Sequence, residues 1–455
     1  MDINHEYLPD INNIVDSLRK GHLALFCGAG ATADATNATW LDLFREELKV
    51  IDKDVNDYYK LAEYYKLHFG KSKLINTVTN LFSEYKPSKH IMHLLKLPVY
   101  EFWTTNFDCI IENMIEENTG VMPSVIYNSS NIIKINENKK YRVFKLNGSI
   151  TDGDSMILTA TDYDNYKYKQ ALLIEFLKRE LVLNTFLFIG YSFDDNLVLS
   201  CLREIKQCFP TLDYYHYRLE KRSNKHAIFQ KIEAKYFEDN YNIKTIFVNS
   251  YDEIDDFIEH IYARFTERNV FISGSFRNLS RDEEDNANLL CKVLVHKLID
   301  EGFNIYSGDG KRLGSYILTN ATRKMMDENI ANQNRLVIMP YIDHSFKTKK
   351  ADDVDRVNLV RRMINDCSAA IFLYGQSETG EASPGAIVEY NEAQMRNMLT
   401  IPIPSTGFAA KQIYDSIIEN NTPGYLERYI HVLSEETDPE RIAQTIIEIL
   451  KANSM

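Results

Sequence analysis

Short apolar runs alternate with amphipathic stretches along most of the chain. Residues 11–20 carry helical spacing. They lead into "HLALFCGAGAT", an apolar run ending in a glycine-rich turn, which predicts a buried strand and a tight loop. Trp40, Leu41, Phe44 and Leu48 then recur at helical spacing. Further strands are predicted at Tyr100–Thr104, Arg142–Lys145, Thr185–Ile189 and Thr245–Val248, with helical stretches between them. Strands that are apolar throughout and separated by helices suit a parallel sheet covered on both faces.

The helical pattern "DEIDDFIEHIYARF" closes this block, and at "TERNVFISGSF" the alternation restarts. The boundary is placed near Glu267, giving domains 1–267 and 268–455. Strands of the second block are predicted at Val270–Ser273, Asn304–Tyr306, Arg335–Met339, Ala369–Tyr374 and a short "LTIPIP". Its long helix "NANLLCKVLVHKLIDEG" ends where Gly302 suits the C′ position. Its last helix begins at Asp438 with Pro439 in the first turn. The expected fold class is α/β, with two doubly wound, Rossmann-like parallel-sheet domains.

Composition narrows the function classes. At 455 residues the chain exceeds one ordinary core. Its net charge of −13 repels a nucleic-acid backbone, so no nucleic-acid partner is expected. The cysteines Cys27, Cys109, Cys201, Cys208, Cys291 and Cys367 include no C-x-x-C pair, so no structural zinc or other metal is expected. Scattered cysteines, an acidic start without an apolar signal core, and no apolar run of about 20 residues lead to an expected cytoplasmic location without a membrane partner.

Candidate chemistry sits where predicted strands run into polar turns. "FCGAGATADA" carries Gly28, Ala29, Gly30 and Thr32; its glycines and following amides suit close approach of a phosphate. "FWTTNFDCIIE" places Asn106 and Asp108 in an otherwise apolar stretch, and "VFKLNGSITDG" places Asn147. "FIGYSFDD" adds Gly190, Ser192, Asp194 and Asp195, and Asn249 follows the last strand. Taken singly, each is equally a tight turn or an Asx-type cap. Together they converge on the carboxyl ends of several strands, where open α/β sheets bind ligands.

In the second block the turns "FISGSFRN", "YSGDGKRLGS" and "IFLYGQSETGEASPGAIVEYNEA" carry Gly274, Ser275, Gly308, Lys311, Arg312, Gly375, Glu389 and Glu392. Amide-rich turns with cations suit phosphates, and carboxylates suit ribose hydroxyls or an adenine amine. For any one basic residue the plain alternative is a solvated surface.

The first four motifs, in order and spacing, resemble the sirtuin-type NAD-binding domain, in particular its bacterial anti-phage branch. The paired C-x-x-C of the zinc ribbon in protein-deacetylating sirtuins is absent from this sequence. That points to NAD cleavage rather than deacetylation. The resemblance implies NAD as substrate, bound by Gly28, Ala29, Gly30, Thr32, Asn106, Gly190, Ser192 and Asn249. Asn106 positions the attacking water or the ribose hydroxyls, and Asp108 orients it or holds the loop. The family's general-base histidine falls at Asn147, whose amide has no titratable proton. Three readings stay open: a form deliberately inactivated to trap NAD, a natural enzyme using water or another group, and a natural fold without turnover. His90 and His93 are the available substitute bases.

The second block resembles the SLOG family of nucleotide-sensing domains, through "RRMINDCSAAIFLYG" and "SPGAIVEYNEA". That resemblance implies activator contacts at Arg361 and Glu389, with Arg356 in reserve, beside Gly274, Ser275, Gly308, Lys311 and Gly375. The phosphoribohydrolase signature P-G-G-x-G-T-x-x-E is incomplete: Pro384, Gly385 and Glu389 are present without the paired glycines. The whole is similar to the effectors of Thoeris anti-phage systems. Such effectors imply a TIR-domain partner that makes a cyclic ADP-ribose isomer as diffusible activator, an NAD glycohydrolase that depletes NAD, and a homo-oligomer, tetrameric and larger when activated. Two other classes stay open. One is a nucleotide sensor acting by assembly alone; the other is a nucleoside or nucleotide hydrolase working through Glu389.

Overall fold

In a computed structural model of the chain, the described residues are 7–35, 57–132, 140–193, 196–210, 213–308, 312–330, 335–339, 357–358, 360–420 and 422–453. They form two compact units, Met1–Tyr262 and Ala263–Met455. The division falls within the helix Asp252–Thr266, just ahead of Glu267. The helix expected at Trp40–Leu48 lies outside the described residues. No described helix is long and apolar enough to cross a membrane.

The first unit is built on a seven-stranded sheet. Its strands are β1 (Leu23–Cys27), β2 (Glu101–Thr104), β3 (Ser124–Ile126), β4 (Arg142–Lys145), β5 (Thr185–Ile189), β6 (His216–Lys221) and β7 (Ile243–Val248). Their order is β3-β4-β2-β1-β5-β6-β7, and every pairing is parallel. The apolar runs LALFC and TFLFI are buried at every position, as their central places demand. Trp103 of β2 stacks on Phe144 of β4, ring centroids 4.1 Å apart. From central β1 the chain builds one side of the sheet through β2 to β4, then returns to β5 and builds the other. The crossover direction reverses between β1 and β5, which makes that seam the topological switch point.

The hydrophobic pattern missed β3 and β6. β3 has only three residues. β6 reads HYRLEK, yet Arg218 is buried there because Glu220 and Glu233 lie 2.7 and 3.0 Å from its guanidinium. A sequence window shows those charges without their partners.

The second unit holds β8 (Asn269–Ser275), β9 (Asn304–Gly308), β10 (Leu336–Met339), β11 (Ala369–Tyr374) and β12 (Leu399–Pro402), all parallel, in the order β10-β9-β8-β11-β12. Its switch point is the β8/β11 seam. The helix Arg281–Asp300 packs against both Leu313–Asp327 and Pro439–Ala452. Gly302 stands past the first of these at φ +80, and Asp438 caps Pro439–Ala452 through the Glu440 amide, as the sequence predicts.

Candidate functional site

At the carboxyl edge of the first sheet, the turns after β1 and β5 are pressed together. The Gly28 and Gly30 amides donate to Ile189 O and Gly190 O, each at 2.9 Å. A Cβ on Gly28 would lie 2.4 Å from Gly190 O, and one on Gly190, at φ +62, would lie 2.2 Å from Ala31 N. The glycines are therefore required by turn-to-turn packing. The Ala31 and Thr32 amides also donate internally, to Gly28 O and Ala29 O. Four amides of this turn are thus engaged with carbonyls.

The turn after β2 lies against this pair. Thr104 Oγ1 accepts the Asn106 amide at 2.9 Å, which holds the short loop. The Asn106 carboxamide then donates to Gly28 O at 3.3 Å and to Thr32 Oγ1 at 3.0 Å. Ser88 ties the same turn from behind, donating to Ala31 O at 3.1 Å. Asp108 is buried and accepts the Ile110 amide at 3.0 Å, an Asx turn heading the helix Ile110–Thr119. Burial holds its carboxyl above the usual range, against the Ile110 amide and the nearby Lys145 cation. Burial, then the Asp108 charge, pushes the Cys27 thiol up to about 12, which leaves it inert as a nucleophile.

The turn after β4 completes the group. The Leu146 amide extends the ladder to Thr104 O at 2.8 Å, and the Ile150 amide donates to Phe107 O at 3.1 Å, joining the Asn106 and Asn147 loops. Asn147 is 7% exposed, and its Oδ1 has no hydrogen-bond partner among the described residues. A buried amide oxygen without a donor is costly, and a ligand hydroxyl is the kind of group that satisfies it.

Sequence reasoning missed the group beneath these loops. Lys145, wholly buried, donates to Phe107 O at 3.1 Å, to Asp108 O, and to Glu112 at 2.7 Å. It pins the Asn106–Asp108 loop from below. The available signal was a lysine closing the strand RVFK directly after two apolar positions.

Other expected residues stand apart. Ser192 is exposed just past Gly190. Asp194 and Asp195 lie outside the described residues. Asn249 follows β7, the outer strand, and its carboxamide is engaged with Glu253 at 3.1 Å. His90 and His93 are not placed as substitute bases: their Nδ1 atoms lie 2.6 Å from Asp255 and from Glu259, on the helix Asp252–Thr266. Those two histidines fasten one helix to another.

In the second unit, the Gly375 and Gln376 amides donate to Ser275 O at 3.0 and 2.8 Å across the switch point. A Cβ on Gly274 would lie 2.1 Å from Leu373 O. Glu389 accepts from Ser273 Oγ at 2.5 Å, which places this carboxylate at the seam. Gln376, which the sequence did not single out, is buried and accepts the Arg277 and Asn278 amides. Arg361 is bidentate to Glu392 at 3.0 and 3.1 Å, and Arg396 shares that carboxylate. Arg361 and Glu389 thus have different partners. Gly308 ends β9. Arg312 is paired with Glu284 at 2.6 Å. Lys311 and Arg356 lie outside the described residues.

Comparison with known proteins agrees with this architecture. The SIR2-like domain family matches residues 100–246, and the Sir2- and TIR-associating SLOG family matches residues 253–453. The chain is 27% identical to the NAD(+) hydrolase ThsA of Bacillus cereus (strain MSX-D12), over 97% of this chain and 97% of that one. It is 26% identical to the NAD(+) hydrolase ThsA of Acinetobacter baumannii (strain 532279), over 98% and 99%. The protein of that name from Enterococcus faecium is 27% identical over 90% of each chain. With a SIR2-like unit followed by a Sir2- and TIR-associating SLOG unit, and a likeness that runs through nearly its full length, the chain is a ThsA-like protein.

Proposed function

We propose that the chain is an NAD glycohydrolase of anti-phage defence, in which the first unit splits NAD and water into nicotinamide and ADP-ribose. A cyclic ADP-ribose isomer bound at the β8/β11 seam of the second unit switches it on. The observation that carries this reading is the pairing of carboxamides at the carboxyl edge of the first sheet. Asn106 is fixed on Gly28 and Thr32, and the neighbouring Asn147 offers a buried, unpartnered Oδ1. Two such groups suit the hydroxyls of a ribose as positive charge builds on its ring.

Asn147 accepts a hydrogen bond but takes no proton. Turnover is therefore slow, about 10²–10⁴-fold below that of the same site with a general base. The test is nicotinamide release with and without the cyclic nucleotide, in the unmodified chain and in Asn147→His. A gain of that order in Asn147→His supports a hydrolase weakened at one residue.

The second reading, a sensor acting by assembly alone, is favoured by the engagement of His90 and His93 with Asp255 and Glu259, which leaves neither as a base at Asn147. It prevails if Asn147→His binds NAD and still releases no nicotinamide. In the second unit, Arg361→Ala abolishes activation and spares NAD binding. Full activation of that variant would remove Arg361 from the activator site.

A further inference from the structure

The helix Asp252–Thr266 belongs to both units: it starts in the first and continues past Tyr262 into the second. Its first-unit part is gripped by a short helix, Lys89–Leu94. His90 Nδ1 lies 2.6 Å from Asp255 Oδ1, and Lys89 Nζ lies 3.1 Å from the other oxygen. About one turn further along each helix, His93 Nδ1 lies 2.6 Å from Glu259 Oε1, which Lys96 also reaches. Asp255 is 3% exposed, so as a buried acid it depends on these partners. The two lysines keep the grip charged whatever the protonation of the rings.

The amino end of the short helix reaches the glycine turn after β1. Ser88, 1% exposed, caps the helix by accepting the Ile91 amide at 3.2 Å, and it donates to Ala31 O at 3.1 Å. The Lys89 amide donates to Asp34, in the same turn, at 2.6 Å. That turn carries Gly28 O and Thr32 Oγ1, the two acceptors of the Asn106 carboxamide. Ile91 and Leu94 are buried, which makes the short helix a packed element that moves as one piece. A continuous set of hydrogen bonds and ion pairs thus runs from the shared helix to Asn106.

We propose that the helix Lys89–Leu94 is a strut through which the shared helix sets the place of Asn106, with Ser88 as the positioning residue at its tip. A displacement of the shared helix carries Asp255 and Glu259 with it. The strut follows, and the glycine turn that holds both Asn106 acceptors shifts in step. An activator then needs only to favour one placement of the shared helix over another. The proposal rests on the reading of the first unit as an NAD site, and it names the residues that carry control to that site.

The test is amide hydrogen exchange of the full chain at residues 23–35, beside NAD affinity from titration calorimetry. Asp255→Asn/Glu259→Gln loosens the grip, keeps side-chain size and leaves the turn untouched. It speeds exchange at residues 23–35 about fivefold and weakens NAD binding by about the same factor. The helix Ala227–Tyr241 exchanges as before. Ser88→Ala/Asp34→Ala cuts the link itself and has the same two effects, whereas Ser88→Thr keeps the hydroxyl and stays close to the unmodified chain. With the link cut, loosening the grip changes exchange by less than about twofold more. Additive effects overturn the proposal, as does unchanged exchange in Asp255→Asn/Glu259→Gln. A rise spread evenly over the first unit also overturns it, because that marks plain destabilisation. An unmodified chain that binds no NAD, with exchange still following the grip, refutes the NAD site and upholds the strut.

Discussion

Lys145→Met tests how the loop bearing Asn106 is held. The substitution removes a wholly buried ammonium and leaves the Glu112 carboxylate, 9% exposed, without its cation. Asp108 O loses its donor as well, while Phe107 O keeps the Ile150 amide. Breaking a buried pair from one side costs about 3–5 kcal/mol. In a unit of this size each kcal/mol moves the melting point by about 2–4 °C, so the first unit should melt about 6–20 °C lower. The double change Lys145→Met/Glu112→Leu removes both charges and recovers most of the loss, because a packed apolar pair can replace a buried ion pair at little cost. The loop stays unpinned, so NAD affinity remains low in the double variant. Scanning calorimetry of the full chain, with the two units followed as separate transitions, reads the first effect, and titration calorimetry with NAD reads the second. The reasoning fails if Lys145→Met melts within about 2 °C of the unmodified chain. It fails equally if NAD affinity returns together with stability in the double variant.

Gly190→Ala drives a Cβ to 2.2 Å from Ala31 N at a φ of +62, so it should lower the unfolding free energy of the first unit, read by urea titration, by more than about 1 kcal/mol and weaken NAD binding; an unchanged urea midpoint would show that the two turns are not tightly joined. Burial holds His216 down to about 3, below its ordinary 6.5, and it accepts the Phe186 amide as a neutral ring. Its contribution is therefore full above pH 6.5 and is lost as pH falls toward 3, at about 1.4 kcal/mol per pH unit. His216→Gln should flatten the acid side of the stability curve by that slope, measured as melting point against pH. Arg361→Ala should leave the melting point nearly unchanged, since Arg361 is half exposed and the buried Glu392 keeps Arg396 as its partner; a large drop in melting point would make Arg361 a structural residue.

The central strands were legible because LALFC and AAIFLY are apolar without interruption. The turns at their ends were legible because glycine and asparagine stand where apolar runs stop. The purpose of those glycines was not legible. Gly28 and Gly190 are 162 residues apart in the chain, and only the β1/β5 pairing shows that each excludes a side chain from the other. Lys145 was hidden for a similar reason: three acceptors from other segments make a buried charge tolerable there. The bland meaning of His90 and His93 also depended on distant acids, Asp255 and Glu259.

The seam between β1 and β5 has a consequence for how the protein is born. Leu23–Cys27 leaves the ribosome about 160 residues ahead of its partner Thr185–Ile189. At about 5–20 residues per second, one edge of this nascent strand waits some 8–32 seconds for its neighbour. Such distant pairings also fold slowly, because a long loop must close before any contact repays it. No truncated product ending before Ile189 can assemble the glycine seam, so a cell cannot acquire a working first unit from an unfinished chain.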